Sequence, residues 1–119
     1  LAKERTVFML RPIPEMGFNV PRARSVRIAL GLPPEVSIPK SSYWARNSWV
    51  WKAQDAARDQ CGVVILDGTQ EFCDDARCYG TKNGRPIYFD DDRLSEYGNK
   101  LLIPTFKQIP SHLPALRRP

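Results

Sequence analysis

The stretch Pro86-Ile87-Tyr88-Phe89-Asp90-Asp91-Asp92-Arg93-Leu94-Ser95-Glu96-Tyr97-Gly98 decides the fold, because it predicts a strand, an acidic loop and a helix start in direct succession. Residues 87–89 have strand-forming composition, and Asn83-Gly84 just before them is a tight-turn signal. Ser95 is a good helix N-cap, with Leu94 before it as a hydrophobic staple. The apolar residues 101–103 lead to Pro104, where we expect the helix to end. Junctions of this kind lie at the edge of an α/β sheet, where ligand sites tend to occur.

Two unbroken apolar runs, residues 6–10 and 62–66, predict strands buried on both faces, which is typical of a parallel sheet. A short helix is predicted over residues 21–30 and a longer one over about residues 42–60, with Ser41 or Ser42 as its N-cap. Residues 32–40 hold three prolines and are expected to be an extended connector. This order predicts a βαβ unit, so the loops after the strands and the acidic loop are expected to meet at one sheet edge.

The predicted long helix carries a broad apolar stripe that we expect to pack on the sheet. The three tryptophans are assigned mainly to helix–sheet packing, although one of them lining a groove is also compatible with the pattern. The stripe consists of Tyr43, Trp49, Val50, Ala53, Ala56 and Ala57.

Three cysteines bear on the cellular compartment. Cys73 and Cys78 enclose four residues, and a zinc site would need further ligands, whereas the single histidine is His112 near the C-terminus. A local disulfide is therefore favoured over two free thiols, which indicates an oxidising compartment. Cys61, beside a predicted strand, is expected to be a buried thiol.

The composition is that of one small globular domain, with 119 residues, 42% hydrophobic residues and a net charge of +5. The basic residues are scattered, which is compatible with a solvated basic surface or with an anionic-polymer partner. No nucleic-acid motif with the required aromatic and glycine spacing is present, so no nucleic-acid partner is expected. No apolar run approaches the ~18 residues needed to cross a bilayer. We predict neither a metal nor an organic cofactor.

The run Tyr-x-Asp-Asp-Asp-Arg-Leu-Ser-x-x-Gly resembles the last conserved block of SGNH-type hydrolase domains. The resemblance is closest to the SGNH domain fused behind membrane acyltransferases that O-acetylate bacterial surface polysaccharides. In that family the block carries Asp-x-x-His, which completes a catalytic triad with a serine from an earlier Gly-Asp-Ser block. The resemblance places Asp90 at the triad aspartate and Arg93 at the triad histidine. A cysteine pair before this block, and a Pro-x-Pro loop like residues 12–14, are further similarities.

The chain departs from the family pattern in its catalytic residues. Arg93 stays protonated and cannot act as a general base, and its alternatives are pairing with Asp90 or Asp92 or binding of an anionic group. Neither the Gly-Asp-Ser block nor the Gly-x-Asn-Asp oxyanion block has a counterpart. The resemblance covers about residues 6–106, the C-terminal half or more of an SGNH domain, so we expect the serine and its strand to lie outside this chain. Whether the chain belongs to an enzyme is left open, and as an isolated chain we expect it to be inactive.

The resemblance implies a three-layer α/β/α, flavodoxin-like fold, here incomplete at its N-terminus. We assign residues 1–106 to the partial SGNH domain and residues 107–119 to a loose tail. The implied function is a part in O-acylation of cell-surface polysaccharide in the periplasm, attached to an inner-membrane parent. The implied partners are an acyl donor, a polysaccharide acceptor and an acyltransferase domain. The alternative is a non-catalytic extracytoplasmic module that binds an anionic glycan.

The three successive aspartates also permit a calcium interpretation. An EF-hand loop counted from Asp90 would need glycine at its sixth position and glutamate at its twelfth, where this chain has Ser95 and Leu101. The pattern therefore favours a solvated acidic turn, in which Asp92 helps the N-terminus of the following helix.

Overall fold

The computed structural model describes residues 5–113 and shows a mixed α/β chain built around a small parallel sheet. Strand β1 (Phe8–Leu10) pairs in parallel with β3 (Val64–Leu66), with Met9 opposite Ile65. The crossover between them contains helix α1 (Val20–Ala29), strand β2 (Ser37–Pro39) and helix α2 (Lys40–Cys61). The predicted parallel βαβ arrangement is therefore confirmed, although both strands are shorter than expected.

The second half of the chain supplies two antiparallel pairs and two short helices. Strand β4 (Arg77–Tyr79) pairs with β2, and β5 (Thr81–Lys82) forms a hairpin with β6 (Arg85–Pro86). Helix α3 (Glu96–Lys100) and helix α4 (Ile103–Phe106) follow. The strands of residues 5–113 thus form three two-stranded sheets. The full three-layer, flavodoxin-like sheet remains a prediction.

A cluster of buried side chains joins the two halves. Tyr88, Ile87, Phe72 and Val20 are each at most 2% exposed. Burial of four such side chains is worth several kcal/mol at about 1.5–3 kcal/mol each. The core therefore holds residues 87–88, which lead into the acidic loop, against the loop after β1.

Several local predictions need correction. Residues 87–89 are not a strand: β6 ends at Pro86, and Tyr88 only forms an isolated bridge with Leu94. The chain does not continue as a strand because residues 88–94 form a closed loop, with Tyr88 opposite Leu94. Pro104 does not end α3, which stops at Lys100. It lies in the first turn of α4, where a missing N–H costs nothing.

Helix α2 begins earlier than predicted and turns another face inward. Neither serine caps it: the N-cap position is Pro39, and the Lys40 amide donates to the Ala76 carbonyl at 2.9 Å. The apolar stripe is confirmed for the buried Tyr43 but is wrong for Trp49, which is 69% exposed, and for the exposed Ala53 and Ala56. The second buried residue of the helix is the polar Asn47. The predicted connector over residues 32–40 contains β2.

Helix α1 is confirmed, with Asn19 as its N-cap and Pro21 in its first turn. Much of its apolar face is exposed to solvent: Val26 is 51% and Leu30 is 70% exposed. Part of the predicted C-terminal tail is ordered, since residues 109–112 form a 3-10 turn. Residues 114–119 of that tail lie outside the described part of the chain.

Candidate functional site

The acidic loop is closed by two backbone hydrogen bonds. The Ser95 amide donates to the Ile87 carbonyl at 3.1 Å, and the Phe89 amide donates to the Arg93 carbonyl at 2.7 Å. Ser95 also caps α3, because its Oγ accepts from the Gly98 amide at 3.1 Å, as the sequence predicted. The positions of residues 90–92 are therefore set by the backbone and by the helix that follows.

The Asp90 carboxylate lies at the centre of the loop. Its Oδ1 accepts from the backbone amides of Arg93 at 2.9 Å and of Asp92 at 3.2 Å. The bond from the Arg93 amide, followed by the bond from the Arg93 guanidinium and then the Asp92 amide, lowers the pKa of Asp90 to about 2. Asp90 therefore remains an anion at any physiological pH.

Arg93 closes on Asp90 rather than on Asp92. Its Nε and Nη2 donate to Asp90 Oδ2 at 2.7 and 2.6 Å. The Arg93 side chain is 71% exposed, and its guanidinium carbon lies 5.2 Å from the centre of the Phe89 ring. The hydrogen bond to Asp90 raises the pKa of Arg93 further, so this group holds its proton and cannot exchange one with a substrate. At residue 93, the position that the resemblance predicts for the triad histidine, the chain thus carries a fixed cation.

The loop after β1 packs directly against the acidic loop, as predicted from the sequence. The Met16 amide donates to the Asp91 carbonyl at 2.9 Å, and the Val20 amide donates to the Asp90 carbonyl at 3.2 Å. The buried Tyr88 hydroxyl donates to the Pro14 carbonyl. Burial is the largest of the effects that raise the pKa of Tyr88. The hydroxyl therefore keeps its proton and remains a hydrogen-bond donor. The Pro-x-Pro loop and the acidic loop are therefore held as one unit.

Arginine 11, at the end of β1, is a positioning residue that the sequence reasoning missed. Its side chain is 7% exposed and its guanidinium carbon lies 3.9 Å from the centre of the Trp51 ring. It donates to Asp55 Oδ1 at 2.6 Å and to Gln54 Oε1 at 3.2 Å. An arginine directly after a buried strand was the available signal, but its carboxylate partner lies 44 residues away. Arg11 fixes α2 across the end of the parallel sheet.

The carboxylates of Asp90, Asp91 and Asp92 lie within 4.8 Å of one another, and among residues 5–113 no other such group of three possible metal ligands occurs. Burial and the neighbouring aspartates, Asp91 before Asp90, raise the pKa of Asp92. Asp90 already uses Oδ2 for Arg93, and Asp91 and Asp92 are exposed. The geometry is that of an exposed acidic turn beside an ion pair.

Cys73 and Cys78 form a disulfide, as the sequence favoured. It closes the turn that leads into β4, and the Tyr79 hydroxyl next to it donates to Asp74 at 2.5 Å. Cys61 was expected to be buried and is an exposed free thiol. The expectation failed because α2 extends to residue 61 and places the thiol at the solvent-facing end of the helix.

The fold and this loop define an α/β module in which an acidic loop packs against the loop that follows one strand of a parallel sheet. The family model for the SGNH domain that is fused to AT3 (acyltransferase 3) domains matches residues 1–108. The chain belongs to this family. It is therefore an acyltransferase-associated module, and the family relationship supports an acyltransferase domain in the parent chain.

Searches among curated proteins and among solved structures returned no match. Within residues 5–113, no helix combines the length and the apolar character that a membrane crossing requires.

Proposed function

We propose that this chain is the C-terminal part of an extracytoplasmic SGNH module that serves O-acylation of a cell-surface polysaccharide, and that it does not catalyse acyl transfer by itself. The observation that carries this proposal is the Asp90–Arg93 pair. A triad needs an imidazole that accepts a proton from the nucleophile and a carboxylate that orients the imidazole. Here the carboxylate holds a guanidinium at 2.6 Å, and that guanidinium cannot accept a proton.

The extracytoplasmic location is supported by the Cys73–Cys78 disulfide, since such bonds persist in oxidising compartments. The test is alkylation of the native protein before and after reduction, followed by mass spectrometry of the chain isolated from cells. One alkylated thiol before reduction and three after it are expected. Three alkylated thiols before reduction would argue against the proposed compartment.

The proposed inactivity is tested with an aryl acetate, whose hydrolysis releases a coloured phenol. We expect the purified chain to give no turnover above buffer. The variant Arg93→His restores an Asp-His pair but supplies no nucleophile, so it should remain silent as well. His112→Gln is the control for acetylation of the native imidazole. Multiple turnovers by the unaltered chain would overturn the proposal.

The alternative function, binding of an anionic glycan, is favoured by one observation at the same loop. Phe89 is 66% exposed beside the exposed Arg93 guanidinium, and an aromatic ring next to a cation can hold a sugar face and its acidic group. Salt-sensitive binding of an acidic polysaccharide that is lost in Arg93→Ala, but kept in Lys52→Ala on α2, would support this function. Equal binding by both variants would exclude this loop as the glycan site.

A further inference from the structure

A groove of about 650 Å³ runs between helix α1 and strand β2. Its volume is within the range of about 300–1,000 Å³ that is typical of small-molecule sites. Its apolar lining comes from Phe18, Ala23, Val26 and Val36. The groove is separate from the Asp90 carboxylate, although one end lies beside the acidic loop through the Val20–Asp90 backbone hydrogen bond.

The apolar side of α1 is divided between the core and this groove: Val20 lies in the core, whereas Val26 lines the groove. Val20 is the one fully buried residue of the helix, and Val26 is half exposed in the groove wall. An apolar helix face that remains open to solvent next to a concave surface is typical of a binding site. Phe18 and Val36 extend the same apolar surface from the preceding loop and from the residue before β2.

Three arginine side chains, Arg22, Arg27 and Arg77, line the same groove, and two of them are held in place without a carboxylate partner. Arg27 donates through Nε to the Pro33 carbonyl at 2.7 Å, and Arg77 donates through Nε to Ser37 Oγ at 2.5 Å. Within residues 5–113, Arg22, Arg27 and Arg77 form no salt bridge. All salt bridges there are made by other basic residues. Arg77 also donates through Nη2 to the Ser37 carbonyl at 3.4 Å. The anchored cations thus leave both terminal nitrogens of Arg27 and Nη1 of Arg77 for a ligand.

The charge of the chain is concentrated around this groove. Residues 18–40 and 77–86 contain seven lysines and arginines but a single acidic residue, Glu35. The rest of the described chain carries eight basic and eleven acidic residues. Within residues 5–113 the positive net charge therefore lies on these two segments. Three of their seven basic residues line the groove together with Glu35, which leaves an excess of positive charge that attracts anions.

We propose that the groove binds an organic anion with an extended apolar portion, such as a long-chain carboxylate. The apolar portion lies along Phe18, Val26 and Val36, and the charged end is held by the arginines at the rim. A purely polar glycan leaves the apolar wall without a partner, and a neutral lipid leaves the three cations without one. The site requires no acyl-transfer chemistry, so its test is independent of the function proposed above.

The probe is dansylaminoundecanoic acid, whose emission increases and shifts to the blue when its apolar part leaves water, and its methyl ester is the neutral control. Saturable binding of the acid is expected, with about tenfold weaker binding of the ester. Arg22→Glu should weaken binding of the acid by about tenfold, because it replaces an attraction by a repulsion. Glutamate is tolerated in the first turn of α1, so this variant should fold.

Two matched pairs separate the groove from general effects. Val26→Asp and Ile28→Asp change residues of the same helix with 51% and 49% exposure, but only Val26 lines the groove. Val26→Asp should weaken binding about tenfold, and Ile28→Asp should leave it within about twofold. Lys52→Glu on α2 makes the same charge change as Arg22→Glu and should have no effect.

The proposal is overturned if the acid does not bind saturably, if the ester binds as tightly as the acid, or if Ile28→Asp weakens binding as much as Val26→Asp. Displacement of the probe by an acidic oligosaccharide with equal affinity would also overturn it, because such a ligand has no apolar portion. Circular dichroism of each variant confirms that it is folded before binding is measured.

Discussion

Gly98→Ala is expected to destabilise the chain and to loosen the acidic loop, although alanine is the better helix former. A Cβ at residue 98 would lie 2.0 Å from the Ile87 carbonyl oxygen, while real Cβ contacts essentially never fall under 3.0 Å. Helix α3 must therefore move away from Ile87 by about 1 Å. That movement breaks the Ser95–Ile87 backbone bond of 3.1 Å and the 3.2 Å bond from Ser95 Oγ to the Pro86 carbonyl.

The size of the effect follows from these contacts. Overpacking costs about 1–3 kcal/mol, and two lost hydrogen bonds cost about 1 kcal/mol each. The helix propensity of alanine returns about 1 kcal/mol. The free energy of unfolding should thus fall by about 2–4 kcal/mol, a decrease in Tm of about 8–16 °C for a chain of this size.

Urea unfolding followed by circular dichroism measures this loss, and amide hydrogen exchange of residues 89–93 measures the loosening of the loop. Gly31→Ala is the control, because Gly31 has φ +73° but nothing within 4 Å of the added Cβ. That variant should lose only about 1 kcal/mol, the cost of the left-handed conformation. If Gly98→Ala lost no more than Gly31→Ala, or if exchange in the loop did not change, the steric reasoning would be wrong.

Three further predictions concern the surroundings of the loop. Ser95→Ala should lower the free energy of unfolding by about 1 kcal/mol in urea titrations, because α3 loses its N-cap. Hydrogen bonds from Tyr79 and from two backbone amides lower the pKa of Asp74 to about 2. The contribution of Asp74 to the free energy of unfolding is therefore present above the unfolded pKa near 4 and is lost as the pH falls toward 2. Asp74→Asn should reduce the pH dependence of the urea midpoint between about pH 4 and pH 2. Reduction of the Cys73–Cys78 disulfide should cost about 2 kcal/mol, the entropy of a very short loop, measured as a shift of the urea midpoint.

The features that depend on neighbouring residues could be predicted from the sequence. The Asn83-Gly84 turn is present with positive φ at both residues, and Ser95 caps α3. The parallel pairing of β1 with β3 was also predictable, because two apolar runs separated by a long crossover have few other arrangements. In each case the information lies within a few residues or in a simple order of elements.

The features that depend on distant partners could not be predicted. The start of α2 is set by the bond from Lys40 to Ala76, and its inward face is set by contacts that the apolar pattern does not contain. Trp49 and Cys61 are exposed for that reason. Pairing of Arg93 with Asp90 was one of the alternatives that the sequence left open, because the two residues are only three positions apart. That Arg93 pairs with Asp90 rather than with Asp92 could be seen only in the structure.

The two carboxylate oxygens of Asp90 have separate roles in the acidic loop: Oδ1 holds the backbone, and Oδ2 holds the side chain at residue 93. The Asp90 Oδ1 contacts are to backbone amides, so the loop keeps its shape whichever side chain is present at residue 93. The Oδ2 contacts are to the Arg93 side chain and determine the chemistry. Asp90→Ala would remove both contributions together, whereas Arg93→Ala removes only the second. Substitution at residue 93 therefore tests the role of a fixed, exposed cation while the scaffold stays intact.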